Sequence, residues 1–546
     1  MACSEGMSPS LYGMRPSSSF VRIAPAALGL VLGLLALGPA LGPGFTLRYD
    51  MVFVPGPVWG SHGGGFPRAV PSDQVVALLS AILPGQIVQK VLLVGIFVLA
   101  AAGAAALVPA DRTADRTADG TADTAGRTAA RLAAAAFYAW NAYLAQRLLL
   151  GQWALLLGFA GLPWAVRAAA RGGVLRLAAA LLPAAVGGFQ AMLVTAVAVL
   201  PVAVWRTADG WRARARALAE SVATMAVLGL PWLVPALRSD AVADPAGVAA
   251  FAPRADGPFG TLGSLLSLGG IWNAEAGVPG QGSWGTATVR LALTAVALVT
   301  FVRQARSRLE EREPYARGLA VGAAAGLVVA CTGAFAPGVL QWLMGVWPGF
   351  GPFRDGQLYI APFALVLAVG FAAAVAWLDR AVLGRFAVAA VAVPVLVLPT
   401  FALGAFGRLG SAEYPDGWRA VQAIVNRDPA PGALVTLPWG AYRAFGWNGG
   451  RVVLDPATKA FARRVVWDDA LVVGLPGGGR IRVASEDPLN RRIGAVVAGG
   501  GPLTTAFAAE GVRYVLVEGQ NQNAFLSRLP GAIPVWRDGE LLLMRL

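Results

Sequence analysis

"FVRIAPAALGLVLGLLALGPALG" (residues 20–42) is followed, after five residues, by "RYDMVFVPGPVWG" (residues 48–60). The first stretch has the ~20 apolar residues that cross a ~30 Å hydrocarbon layer as a helix. No clear cleavage site follows it, so it reads as a retained first membrane helix and not as a signal peptide. The second stretch places Arg48 and Asp50 where that helix leaves the bilayer, and Pro55 and Pro57 keep the chain from running on as a helix. A carboxylate at that level is either an interfacial anchor or a base facing a lipid-borne substrate.

Working outward, apolar blocks of similar length recur. Only 14% of the 546 residues are charged and 56% are hydrophobic, whereas a soluble domain carries about 25% charged residues. The blocks lie near 84–108, 132–150, 152–166, 174–187, 189–205, 217–236, 286–302, 317–336, 358–378 and 386–406, making about eleven helices with the first. The chain therefore reads as a polytopic α-helical membrane protein. Its formal net charge of +14 reflects arginines in short loops, the usual determinant of orientation, so no nucleic-acid partner is expected. Arg167, Arg171, Arg176, Arg206, Arg212, Arg214, Arg216, Arg303, Arg306, Arg308, Arg312, Arg317, Arg380 and Arg385 fall on one side if the N-terminus is cytoplasmic. The longer outer loops (43–84, 237–285 and 337–357) are poorer in Arg, and an odd number of helices leaves the C-terminal region outside. Lys90 and Lys459 are the only lysines. This Arg, Ala, Gly and Val bias suits a GC-rich, actinobacterial-type genome.

Residues 1–21 read as a polar cytoplasmic tail, 22–408 as the helical membrane domain, and 109–131 as a disordered cytoplasmic linker. The linker contains "DRTADRTADGTADTAGRTA" (111–129), a repeat with no apolar face. From residue 409 the apolar runs shorten to strand length. "ALVTLPW", "IGAVVAGG", "VRYVLVEG" and the two halves of "AIPVWRDGELLLMRL" read as strands, the last pair joined through an Asp-Gly turn. "GWRAVQAIVNR" and "TTAFAAEG" read as helices. Residues 409–546 are thus expected to form a small extracytoplasmic α/β domain. Cys3 and Cys331 are too far apart in character to pair, and no His or Cys cluster suggests zinc or haem. His62, the lone histidine, reads as a solvated loop residue. The glycines of "PGGGR" (476–480) form no phosphate loop, since no Gly-Lys-Ser/Thr follows.

Four polar clusters fall on the predicted outer face: Arg48 and Asp50; Arg68, Asp73, Gln86 and Lys90; Asn141, Gln146, Arg147, Gln152 and Trp153; and Arg354, Asp355 and Gln357. Ionisable residues beside membrane segments are costly and point to function. Together the clusters predict one polar cleft in which Asp50, Arg147 and Arg354 or Asp355 share a cavity. Arginine binds phosphate through a charged fork, and a carboxylate beside it could deprotonate an acceptor hydroxyl. Trp59, Trp153, Trp272, Trp284 and Trp347 are either sugar-stacking platforms or interfacial anchors.

The segments "YDMVFVP" and "NAYLAQRLLLGQWALLLGFAGLPW" resemble membrane glycosyltransferases of the GT-C class, of actinobacterial and archaeal type. In many relatives the second begins Asn-Pro-Phe-Val-Tyr-Glu-Arg; this chain keeps Asn141 and Arg147 but has Ala142 for Pro and Gln146 for Glu. The resemblance implies a polyprenyl-phosphate-linked sugar as donor, a glycan or lipid of the cell envelope as acceptor, and membrane lipids as surroundings. It also implies Asp50 as general base with inversion at the anomeric carbon. The substrate-binding set would be Arg48, Arg68, Asn141, Arg147, Gln152, Arg354, Asp355 and Gln357, with no cofactor expected and a divalent ion left open. Arg48 or Arg68 would hold the Asp50 pKa low. Alternatives are a transporter or flippase for a lipid-linked solute, for which no internal repeat is visible, and a non-catalytic envelope-assembly protein.

Overall fold

The computed structural model describes residues 18–60, 65–108, 122–206, 210–307, 315–379, 384–475, 477–519 and 522–546. Most of the tail, with Cys3, and His62 lie outside the described residues, as does 109–121 of the expected linker. The helical part runs α1 (Ser18–Leu37), α2 (Ser72–Ser80), α3 (Gly85–Leu107), α4 (Ala122–Ala139), α5 (Ala142–Leu149), α6 (Trp153–Arg171), α7 (Val174–Gly187), α8 (Phe189–Trp205) and α9 (Gly210–Leu237). It continues with α10 (Ala246–Ala250), α11 (Gly260–Leu266), α12 (Trp284–Ser307), α13 (Ala316–Phe335), α14 (Pro337–Val346) and α15 (Ala361–Leu378). Among the described residues seven helices are long and apolar enough to cross a membrane, and α7 and α8 are shorter apolar helices.

The helices are apolar outside as well as inside. Val91, Val227, Val328 and Trp377 point outward, each 61–64% exposed, a distribution suited to a hydrocarbon surround and adverse in water. α15 lies at the centre, packed against α4, α12 and α13, while α6 packs on α3, α7 and α8. Close packing is permitted by glycine: a Cβ at Gly370 would stand 1.9 Å from the carbonyl oxygen of Ala297 on α12.

Four local expectations change. The block 132–150 is two helices, because Asn141 is extended and caps the start of α5. The end of the expected linker is helical from Ala122, because "ADTAGRTAARLAAAA" is rich in the best helix formers. The run 386–406 is not one helix but the pieces α16 (Gly384–Ala390), α17 (Val393–Val397) and α18 (Ala402–Gly407), with a 3₁₀ turn at Pro399–Phe401. Pro394 and Pro399 start new segments there, and Leu403–Phe406 run left-handed with φ between 50° and 71°. "IGAVVAGG" is mostly helix instead of strand. Asp487 accepts a bond from the Leu489 amide at 2.8 Å and Pro488 follows, an N-cap with Pro at the first helical position.

The C-terminal residues add β2 (Ser411–Ala412), paired with β1 (Phe45–Thr46) from the loop after α1, then α19 (Asp416–Arg427), β3 (Ala433–Leu437), β4 (Tyr442–Ala444), β5 (Val452–Leu454), α20 (Ala457–Ala460) and β6 (Val465–Val466). β7 (Leu471–Gly474), β8 (Arg480–Val483), α21 (Pro488–Ala498), α22 (Thr504–Ala509), β9 (Val512–Glu518), α23 (Gln522–Leu526), β10 (Ile533–Arg537) and β11 (Leu541–Arg545) complete it. The main sheet has the order β10-β11-β9-β3-β6, with β9, β3 and β6 parallel. Asp538 closes the β10–β11 turn by accepting from the Glu540 and Leu541 amides at 2.8 and 2.6 Å. Every residue of β3 is buried.

Candidate active site

The loop after α1 is woven between helices and sheet. The Tyr49 amide donates to the Val452 carbonyl at 2.7 Å, and the Leu454 amide returns a bond to Tyr49 at 2.9 Å, so residue 49 acts as an extra strand beside β5. On its other side the Asp50 amide donates to Leu150 at 3.1 Å in the α5–α6 turn. That approach needs Gly151: its φ is +83°, and a Cβ there would stand 2.2 Å from the Met51 nitrogen. Tyr49 itself sits at φ 44°, a conformation costing a non-glycine residue about 1–2 kcal/mol. The tight turn carries Asp50 inward.

The Asp50 carboxylate accepts from the Tyr442 hydroxyl at 2.8 Å and from the Gln152 side chain, with Arg68 and Lys459 near enough to act through charge. Burial pushes its pKa up and outweighs those two hydrogen bonds and the two cations. This corrects the expectation of a low pKa. Arg48 makes no hydrogen bond to the Asp50 carboxylate; its guanidinium donates to the carbonyls of Leu149 at 3.0 Å and Glu275 at 2.8 Å. Arg48, 9% exposed, ties three loops together.

Arg147 is fully buried. Nη1 and Nη2 reach the two oxygens of Asp355, each at 2.8 Å, Nε donates to Gln357 at 2.7 Å and Nη1 also to Gln152 at 2.8 Å. Every nitrogen of the Arg147 guanidinium is thus bonded to Asp355, Gln357 or Gln152. Gln152 joins the two systems, since its oxygen serves Arg147 while its side chain also meets Asp50. Asn141 is a helix cap: it accepts from the Leu144 amide at 3.0 Å and donates to the carbonyls of Phe137 and Tyr138. Gln146 donates to Asp256 at 2.7 Å. A glutamate at 146 would set two carboxylates against each other, so the departure from the resembling motif is matched by an acid from a distant loop.

Arg68 and Arg354 form a second cluster. Both donate to Glu486, on the segment between β8 and α21: Arg68 by a short bond and Arg354 at 2.7 Å. Burial opposes ionisation of Glu486, but the two guanidinium groups prevail and hold its pKa at about 2. The Arg68 side chain is 60% accessible. The Nη1 of Arg354 is buried with no hydrogen-bond partner, and its guanidinium lies 5.1 Å from the Phe251 ring.

The other members of the predicted clusters are structural ties. Gln86 accepts from the Gly44 amide at 2.8 Å, Lys90 donates to the Gly42 carbonyl, and Lys459 bonds Asp73 at 2.6 and 2.8 Å. Trp153 and Trp272 are buried against Phe53 and Phe251, while Trp59, Trp284 and Trp347 are exposed. Tyr442, Lys459 and Glu486 were missed by sequence reasoning. They come from a region with no apolar periodicity to flag them, and only the fold carries them over the helices. Among the described residues no group of three or more His, Cys, Asp or Glu could hold a metal ion.

No family model and no curated protein matches the chain. Among solved structures it is similar to ArnT from Cupriavidus metallidurans, at 12% identity and TM-score 0.40, over 97% of this chain and 98% of that one. It is also similar to the Archaeoglobus fulgidus oligosaccharyltransferase tethered with an acceptor peptide, at 12% identity and TM-score 0.38, over 92% of this chain and 69% of that one.

Proposed function

We propose that the chain is a GT-C-type membrane glycosyltransferase that moves a sugar from a polyprenyl-phosphate donor to a cell-envelope glycan or lipid acceptor at the outer leaflet. The observation that carries this reading is Asp50: a carboxylate partly open, raised in pKa by burial, fixed by Tyr442 and within the field of Arg68. In the proposed step Asp50 takes the proton of the acceptor hydroxyl as its oxygen attacks the anomeric carbon. The bond to phosphate breaks with inversion, and the lipid phosphate leaves. Arg68 and Arg354 neutralise the departing phosphate, the accessible one with its free edge and the buried one with its unpartnered Nη1. A raised pKa makes Asp50 a stronger base once ionised. The buried Arg147–Asp355–Gln357 network holds Gln152, and through it Asp50, in place.

Residues 409–546 and the outer loops are assigned to the extracytoplasmic side, with the N-terminus cytoplasmic, because the arginines of the shorter loops cluster on the opposite side. A reporter active only outside the cytoplasm, fused after Leu546, is expected to be active; activity from a cytoplasm-only reporter overturns the orientation. For the chemistry, Asp50→Asn keeps the shape and removes the base. Incubation of membranes with polyprenyl-phosphate sugars should show transfer by the wild type and its loss in Asp50→Asn with insertion intact. Full transfer by Asp50→Asn sinks the assignment.

A further inference from the structure

Glu486 stands where the proposed reading puts a phosphate. Its two carboxylate oxygens each take a different arginine, Oε2 from Arg68 and Oε1 from Arg354, as two oxygens of a phosphate would. One carboxylate is thus shared by two guanidinium groups, with Asp469 and Asp50 acting on Arg68 and Asp355 on Arg354 from further away. The cluster is also unevenly closed: side-chain exposure is 60% for Arg68 against 14% for Arg354 and 11% for Glu486. The buried Nη1 of Arg354 has no partner even with Glu486 in place, so the carboxylate does not satisfy the site. A phosphate monoester, such as the departing lipid phosphate, carries more terminal oxygens and more charge than a carboxylate and would meet more of these donors.

The Glu486 backbone is anchored independently of its side chain. Its amide donates to Asp469 at 3.1 Å, and its carbonyl accepts from the Val242 amide at 3.3 Å and from Arg491 at 3.3 Å. The neighbouring Ala484 amide donates to Asp244 at 2.7 Å. Rotation about the side-chain bonds alone would therefore vacate the arginine pair without moving the segment.

We propose that Glu486 is a built-in counter-anion that fills an anion site between Arg68 and Arg354 and yields it to a phosphate monoester or diester. The proposal rests on the reading that these arginines receive the donor's phosphate. It adds that the site is closed by the protein's own carboxylate, which keeps one accessible and one buried cation paired between turnovers and makes phosphate compete for entry.

Binding of inorganic phosphate and of a short-chain polyprenyl phosphate to the full chain in nanodiscs tests this. A site occupied by its own side chain nine-tenths of the time weakens apparent affinity about tenfold. Glu486→Gln is therefore expected to bind polyprenyl phosphate about tenfold more tightly than the wild type. Tightening for inorganic phosphate as well means the phosphate alone displaces the carboxylate; tightening for the lipid only means the headgroup must arrive from the bilayer. Glu486→Asp keeps the charge but is too short to reach both arginines, and should tighten binding by a smaller factor even if the glutamine variant fails to fold. Unchanged or weaker binding in the variants that fold overturns the counter-anion and leaves Glu486 a clamp. Arg68→Gln combined with Arg354→Gln should abolish binding in both backgrounds; retained binding there removes the underlying assignment of the arginines, whatever Glu486 does.

Discussion

Arg147 and Arg354 each meet a carboxylate on the same side of the helices, yet the two pairs are built differently. Arg147 sits at 0% exposure with Nη1 and Nη2 matched to the two oxygens of Asp355, Nε to Gln357 and Nη1 also to Gln152, so that each nitrogen has a partner. Arg354 shares Glu486 with an accessible Arg68 and keeps one buried nitrogen without a partner. A saturated ion pair in a dry interior is architecture, because any ligand would have to break more bonds than it makes. An unsaturated pair with an accessible edge has binding capacity in hand. Position in the sequence does not separate the two, since Arg354 and Asp355 are neighbours; local direction does.

The sharpest way to break this comparison is to remove one partner from the saturated pair. Asp355→Ala leaves Arg147 charged and uncompensated, and should cost about 3–5 kcal/mol of stability, read as a large fall in the thermal unfolding temperature in detergent. A small loss would mean that the pair is hydrated and that the contrast between the two clusters is false. Asp50→Asn lies between the clusters in kind: it should unfold like the wild type while transfer falls about 100-fold, the lower end of what general-base help supplies.

Tyr442→Phe is a finer probe. It deletes one hydrogen bond to the Asp50 carboxylate, worth about 0.5–1.5 kcal/mol, so transfer should fall by no more than about tenfold. The acid limb of the pH–rate profile should also move upward, because that bond favours the charged form. In the wild type the raised pKa already predicts that transfer grows with pH above the ordinary carboxylate range, as Asp50 loses its proton. Glu486, with its pKa held at about 2, stays ionised throughout that window. Its contribution to stability is present above its unfolded pKa and fades only as pH falls toward about 2, so the limb belongs to Asp50. An acid limb at or below the ordinary carboxylate range would remove the buried-base argument. The smallest effect is expected from Asn141→Ala, which deletes a helix cap worth about 1 kcal/mol and should leave transfer unchanged. A strong loss of transfer at unchanged stability would return Asn141 to the site.

The sequence by itself determined a good deal. Apolar blocks of bilayer length, their arginine-bearing ends and the change to strand-length runs after residue 409 follow from one-dimensional pattern, because hydrocarbon thickness and the alternation of a sheet are periodic constraints. The pattern failed where local chemistry overrode it: at Pro394 and Pro399, which broke a run that looked like a helix, and at Asp487–Pro488, where a cap started a helix in a run that looked like a strand. Composition singled out Asp50, Arg68, Arg147 and Arg354 equally. Only the tertiary structure decided that Arg48 and Arg147 are spent on carbonyls and carboxylates, that Asp50 has a tyrosine 392 positions away as its partner, and that Glu486, 418 positions from Arg68, closes the arginine pair. Donor saturation and burial are properties of what surrounds a side chain in three dimensions, and contacts at such separations leave no periodic trace along the chain.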